Sequence, residues 1–213
     1  MGRALRLGYA GGMQIAVLSA ACRLPGADSP AQLFTRLVAG ADAVGVVPAD
    51  RWDHGAWFDP AGAPGTTRSR WGAFLADPWG FDAAGFGIGA AEAQAMDPQQ
   101  RLLLLCAREA LAAAGIAEVA GRRVGVFIGA TYATHGERVA ARFEAGEPIP
   151  GSAIIGNLDN MLAARLSHAL DLRGPALAVD SACSSTLVAL HWRGRRWRPG
   201  SASWPSSGAP TCW

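Results

Sequence analysis

The sequence predicts an α/β layered fold with a mainly parallel sheet. Three short apolar runs carry that reading, at residues 15–21, 124–130 and 176–180, each of a length that suits one buried strand. Segments with helical spacing separate them, and strands that alternate with helices join as parallel neighbours in one sheet. Such sheets place their ligands beyond the carboxyl ends of the strands. The residues after Val179 are therefore the first place to look for chemistry.

The elements follow in order. Residues 1–12 carry little pattern and read as a leader without fixed structure, with Met13 as an alternative start. Ile15–Ala21 is the first strand, and a turn follows at Pro25–Gly26. Ser29-Pro30 opens a helix, with Ser29 as N-cap, Pro30 in the first turn and Gln32 at the capping-box place. Leu33, Phe34, Leu37 and Val38 form its apolar face, and Gly40 ends it. Residues 41–90 are poor in periodicity and rich in Gly, Pro, Asp and Trp. A stretch this long without regular elements is unusual inside a domain and often functional. Gly85, Gly87 and Gly89 follow no strand, so they are not a nucleotide-binding fingerprint.

Asp97-Pro98 starts the strongest helix, over Gln99–Ala114, and Gly115 ends it. Its apolar residues run nearly all round, which predicts burial of most of the helix. Val124–Ala130 is the second strand. Thr134–Glu144 is helical, and Asn157–Leu170 is an amphipathic helix that contains His168. Gly174–Pro175 then breaks the chain, and Ala176–Val179 is the third strand. Five small or polar residues follow, Asp180–Ser184, before Leu187, Val188 and Leu190 return at helical spacing.

Cys183 therefore falls in the first turn of a helix that follows a strand directly. The first N–H groups of a helix have no internal partner and carry partial positive charge, a setting that suits a thiolate nucleophile. A buried structural cysteine at a crowded junction fits the same pattern. His168 has no orienting acid at a known distance, so it reads as structural and not as a base for Cys183.

Composition narrows the classes. Half of the 213 residues are hydrophobic and 17% are charged, which fits one ordinary domain with a real core. The net charge is +2, and Arg193, Arg195, Arg196 and Arg198 outweigh that excess by themselves. No basic stripe covers the body, which argues against a nucleic-acid partner. Cys22, Cys106, Cys183 and Cys212 form no C-x-x-C pair, and the four histidines show no ligand spacing with them. Neither a metal site nor a disulfide framework is indicated, and a reducing cytoplasm suits the pattern. The apolar run Ile15–Leu18 is too short for a signal peptide, and no stretch is long enough to span a membrane.

Several motifs add a family resemblance. D-S-A-C-S-S-T-L-V-A-L at Asp180–Leu190 resembles the active-site signature of the β-ketoacyl synthases, above all the ketosynthase domains of modular polyketide synthases. D-P-Q-Q-R-L-L-L at Asp97–Leu104 and A-R-L-S-H-A-L-D-L-R-G-P at Ala164–Pro175 resemble the same family. So do D-A-V-G-V-V-P-A-D-R-W-D at Asp42–Asp53, R-W-G-A-F-L at Arg70–Leu75 and F-D-A-A-G-F-G-I at Phe81–Ile88. Thr186 stands where a third Ser is usual, and Ala164 where an Asn is common.

The resemblance implies a thiolase-like layered fold, here its incomplete amino-terminal half. Residues 41–90 would wrap the core and border the substrate entrance. Cys183 would be the catalytic nucleophile, taking an acyl chain from a phosphopantetheine thioester on acyl carrier protein. The family then condenses that chain with a decarboxylated extender, in polyketide and fatty acid biosynthesis. No bound cofactor and no metal are implied.

The motif resemblance runs from about Gln14 to His191. The expected division is a leader at 1–12, a partial β-ketoacyl synthase domain at 13–191 and an unrelated, unstructured tail at 192–213. Half of the eight tryptophans lie in that tail, beside Arg, Pro, Ser and Gly, a composition that suits a coding region read out of frame. Pro199 and Gly200 would break any helix begun at Cys183. The family's H-G-T-G-T and N-x-G-H motifs, whose histidines assist decarboxylation, do not occur in the sequence. The family's homodimer uses a strand beyond His191, which is missing here. The expectation is an acyl-accepting chain without condensing activity. The alternatives are a non-catalytic truncated fragment and a carrier-protein docking module.

Overall fold

The computed structural model describes residues 5–8, 14–131, 134–196 and 211–212. In chain order the strands are β1 (Leu5–Gly8), β2 (Gln14–Val17), β3 (Gly45–Val46), β4 (Trp71–Gly72), β5 (Gly125–Gly129), β6 (Ala176–Val179) and β7 (Thr211–Cys212). The α-helices are α1 (Pro30–Val38), α2 (His54–Trp57), α3 (Ala90–Ala95), α4 (Pro98–Ala113), α5 (His135–Glu144), α6 (Met161–Ala169) and α7 (Ser185–Arg196). The chain divides into a smaller unit, residues 21–78, and a larger one, residues 1–20 with 79–213.

In the smaller unit, α1 starts at the expected N-cap, Ser29, with the Gln32 side chain reaching one residue further back than a capping box would place it. The Gln32 N–H donates to Ser29 Oγ at 3.3 Å, and Gln32 Oε1 accepts the Asp28 N–H at 2.7 Å. The expected apolar face is not covered: Phe34, Leu37 and Val38 are each about two-thirds or more exposed. The segment expected to lack regular structure is held by local polar bonds. β3 pairs antiparallel with β4, Gly45 against Gly72. The Asp59 carboxylate accepts the Ala61 and Ala63 N–H groups at 2.8 and 2.9 Å. Those donors hold its pKa below the ordinary carboxylate value.

The larger unit contains a three-stranded sheet in the order β6-β5-β7. β5 is parallel to both neighbours, with Val126 opposite Ala176 on one side and Cys212 on the other. Side chains alternate along a strand, so Val126 and Ile128 share one face of β5. That face meets α6 and, beyond it, α4, in a core of Met96, Leu104, Ala107, Leu162, Ala163 and Leu166. Gly125, Phe127 and Gly129 point the other way, towards α7, which lies along β5 and β6. β5 is buried on both faces, and this explains its unbroken apolar run.

Asp97 caps α4 by accepting the Gln99 N–H at 2.7 Å. Gly115 leaves the helix with φ of 71°, a conformation that needs glycine. The expectation that most of α4 is buried is corrected. Burial is confined to a stripe, Gln100, Arg101, Leu104 and Ala107, that faces the core.

Three further corrections concern strands and termini. The first apolar run does not join the parallel sheet. It forms β2, which pairs antiparallel with β1, Leu5 opposite Val17. Apolar composition marked it as a strand but could not name its neighbour. Residues 5–8, assigned to the leader, are that neighbour, and the rest of 1–12 lies outside the described residues. Residues 192–196, assigned to the tail, continue α7, and Thr211–Cys212 takes the third place in the sheet. Pro199 and Gly200 lie outside the described residues, as do 197–210 and 213.

Candidate active site

The strand-to-helix junction after β6 is a tight turn. β6 is held on β5 at both ends: the Val126 N–H donates to the Pro175 carbonyl at 2.7 Å and the Ala130 N–H to the Val179 carbonyl at 3.1 Å. The chain then passes Asp180 and Ser181 and enters a 3₁₀ turn, Ala182–Ser184, which runs directly into α7. Cys183 is the middle residue of that turn and is exposed. Of the two readings left open by the sequence, a cysteine buried at a crowded junction does not match this placement. A thiol at the head of a helix, open to solvent, does.

The turn is strained where it leads into the cysteine. Ala182 has φ of 54°. A side-chain-bearing residue in this left-handed region is disfavoured by about 1–2 kcal/mol. Four side chains tie the turn around it. Asp180 Oδ1 accepts the Ala182 N–H at 2.9 Å. Ser185 Oγ accepts the Ser181 N–H at 2.9 Å and donates to the Ala182 carbonyl at 2.6 Å. The Ser181 and Ser184 hydroxyls lie 3.0 Å apart, and Ser184 Oγ donates to the Ser181 carbonyl at 2.9 Å.

Glycine makes room for this arrangement. A Cβ on Gly129, the last residue of β5, would sit 2.3 Å from the Thr186 nitrogen and 2.5 Å from the Ser185 carbonyl carbon. The head of α7 therefore rests on bare backbone at the end of β5. A Cβ on Gly174 would sit 2.2 Å from the Val124 carbonyl oxygen, so the entry to β6 is equally close to the start of β5. Neither Gly129 nor the bonds of Ser185 entered the sequence argument. A glycine ending an apolar strand is a signal of close backbone approach and could have marked Gly129.

His168 is not brought to Cys183. It lies exposed in the last turn of α6, where the Asp171 N–H donates to the His168 carbonyl at 3.1 Å. The Asp171 carbonyl in turn accepts the Gly121 N–H at 2.7 Å, ahead of β5. His168 thus sits at the amino end of the strands and Cys183 at the carboxyl end. An open cavity of about 630 Å³ also lies at the amino end, lined by Leu111, Ile116, Val119 and Leu170 among others. Burial lowers the pKa of His135, at the head of α5; Asp97 opposes this, while Arg101 and Arg138 add to it.

A model of the β-ketoacyl synthase N-terminal domain matches residues 13–203. The chain belongs to the β-ketoacyl synthase family. The match runs past His191, where the motif resemblance ended. Phthioceranic/hydroxyphthioceranic acid synthase of Mycobacterium tuberculosis is 45% identical over 181 residues, 83% of this chain and 8% of that protein. Polyketide synthase GfsB of Streptomyces halstedii is 43% identical over 203 residues, 92% of this chain and 4% of that one. Among solved structures, an oxazolomycin ketosynthase domain of Streptomyces albus superposes with a TM-score of 0.74 at 34% identity, covering 86% of this chain and 32% of that chain. The ketosynthase from module 6 of the bacillaene synthase of Bacillus subtilis 168 gives 0.65 at 28% identity, covering 83% and 28%.

The chain thus spans 4–12% of the curated relatives and about a third of the solved ketosynthases. It is an amino-terminal ketosynthase region of the modular polyketide synthase type, with the thiolase-like fold. Among the described residues of this ketosynthase region, no helix is long and apolar enough to cross a membrane, and no cluster of three or more His, Cys, Asp or Glu could hold a metal.

Proposed function

We propose that Cys183 of this ketosynthase region accepts an acyl group from a phosphopantetheine thioester carried by acyl carrier protein, in polyketide or fatty acid assembly in the cytoplasm. The observation that carries the reading is an exposed thiol at the head of α7, behind a left-handed Ala182. The sulfur attacks the thioester carbonyl carbon and forms a tetrahedral intermediate. The Cys183 N–H donates to the oxyanion, as preorganised backbone donors do in acyl transfer. The bond from carbon to the phosphopantetheine sulfur then breaks. The departing sulfur leaves as a thiol, carrying the proton that Cys183 gave up, and the acyl group remains on Cys183.

Condensation does not follow on this chain alone. The sequence holds neither histidine motif that the family uses for decarboxylation. Intact-mass measurement after incubation with an acyl-phosphopantetheine thioester tests the reading. The expected result is one added acyl group, lost in Cys183→Ala, and no β-ketoacyl product when malonyl-carrier protein is added. No adduct, or an adduct that survives Cys183→Ala, would overturn the acyl-transfer assignment. Formation of β-ketoacyl product would overturn the restriction to the first half-reaction.

A further inference from the structure

We propose that Ser185 is a positioning residue for Cys183, its hydroxyl setting the direction of the Cys183 N–H. The proposal rests on the acyl-transfer reading above. Ser185 opens α7 and is only 4% exposed, beneath the backbone that Gly129 admits. A serine at a helix start ordinarily accepts an N–H from its own helix two or three residues further on. This one points backward. It accepts the Ser181 N–H and donates to the Ala182 carbonyl, so it grips the turn on both sides of the strained residue.

The grip reaches Cys183 through one peptide plane. The Ala182 carbonyl and the Cys183 N–H belong to the same planar unit, so a bond that fixes the oxygen fixes the direction of the hydrogen. Asp180 also holds Ala182, but it is exposed and its bond competes with water; the Ser185 N–H also donates to the Ala182 carbonyl, but only the hydroxyl ties that carbonyl to the Ser181 N–H on the other side of Ala182. The Ser185 hydroxyl is itself buried, so its two bonds are less open to water than that of Asp180. Loss of the hydroxyl would release Ala182 towards the right-handed region and turn the Cys183 N–H away from the oxyanion. The sulfur would stay exposed.

The test compares two reactions of Cys183 in the purified full chain: acylation by an acyl-phosphopantetheine thioester, which forms an oxyanion, and alkylation by iodoacetamide, which does not. In Ser185→Ala, acylation is expected to fall roughly tenfold, the factor by which a left-handed alanine is disfavoured when nothing holds it. Alkylation should change by less than about twofold, because no oxyanion donor is involved. Adding Ala182→Gly should recover most of the lost acylation, since glycine takes the left-handed conformation freely. Equal acylation of wild type and Ser185→Ala overturns the positioning role and leaves the acyl-transfer reading intact. So does a parallel loss of both reactions, or a loss that Ala182→Gly does not relieve. A wild-type chain that is alkylated but never acylated overturns the acyl-transfer reading, and this proposal with it. Should Ser185→Ala lose its helical circular dichroism, the wild-type Ser181 amide decides. Its hydrogen exchange must be slowed at least roughly tenfold relative to an unstructured serine, and exchange at the unstructured rate overturns the proposal.

Discussion

Replacing Gly129 by alanine puts a methyl group where the backbone of α7 already is. The new Cβ would lie 2.3 Å from the Thr186 nitrogen, 2.4 Å from the Thr186 Cα and 2.5 Å from the Ser185 carbonyl carbon. Ordinary carbon contacts need about 3.5–4.0 Å, so the head of the helix must retreat by roughly 1 Å. Overpacking of this kind destabilises by about 1–3 kcal/mol, a sizeable share of a domain's ~5–15 kcal/mol. The chemical effect is of comparable size. Cys183 is two residues ahead of Ser185, and a misplacement of about 1 Å at reacting atoms can cost on the order of 10²-fold in rate. Urea denaturation followed by circular dichroism, together with the rate of Cys183 acylation, reads both. Gly151→Ala is the control, because a Cβ there meets nothing within 4 Å. It should stay within about 0.5 kcal/mol of wild type. Gly129→Ala with a wild-type urea midpoint and wild-type acylation would refute the claim that bare backbone at the end of β5 seats the helix.

Two further outcomes follow from the larger unit. Arg165 on α6 is nearly buried and pairs with Glu92 at 2.7 Å. Glu92→Ala leaves that charge without its partner and should destabilise by about 3 kcal/mol, read as a lower urea midpoint; an unchanged midpoint would deny the pair a structural role. The pKa of His135 is lowered from 6.5, chiefly by burial. Below 6.5 the unfolded chain therefore binds more protons at this position than the folded chain does. The contribution of His135 to stability is complete above 6.5 and is lost as pH falls through the lowered value. His135→Gln should flatten the stability–pH curve in that window, and an unaltered slope would contradict the assignment.

Much of the site was legible because local signals agreed with one another. The apolar runs that became β5 and β6, the Asp97 cap and the placement of Cys183 ahead of helical spacing are all short-range features, and the structure reproduces them. The fate of residues 15–21 was not legible. Its composition says strand, but the choice between joining β5 and pairing with β1 is a long-range contest that composition does not decide. The uncovered face of α1 failed for the same reason, since periodicity marks a face without supplying what would cover it. Ala182 was hidden differently. Nothing in an alanine signals a positive φ, and only the bonds from Asp180 and Ser185 account for it. The serines beside Cys183 stand in the sequence only as small or polar residues, whereas their hydroxyls tie the turn together.

On the proposed reading, the turn after β6 makes one sulfur the acyl acceptor. Competitive peptide mapping tests it most directly. The chain is exposed to limiting acyl-phosphopantetheine thioester, digested, and the acyl group located by mass spectrometry. The adduct is expected on the peptide that contains Cys183, with little on the half-buried Cys22 and Cys106. Acyl groups spread evenly over the cysteines, or concentrated away from residue 183, would contradict it.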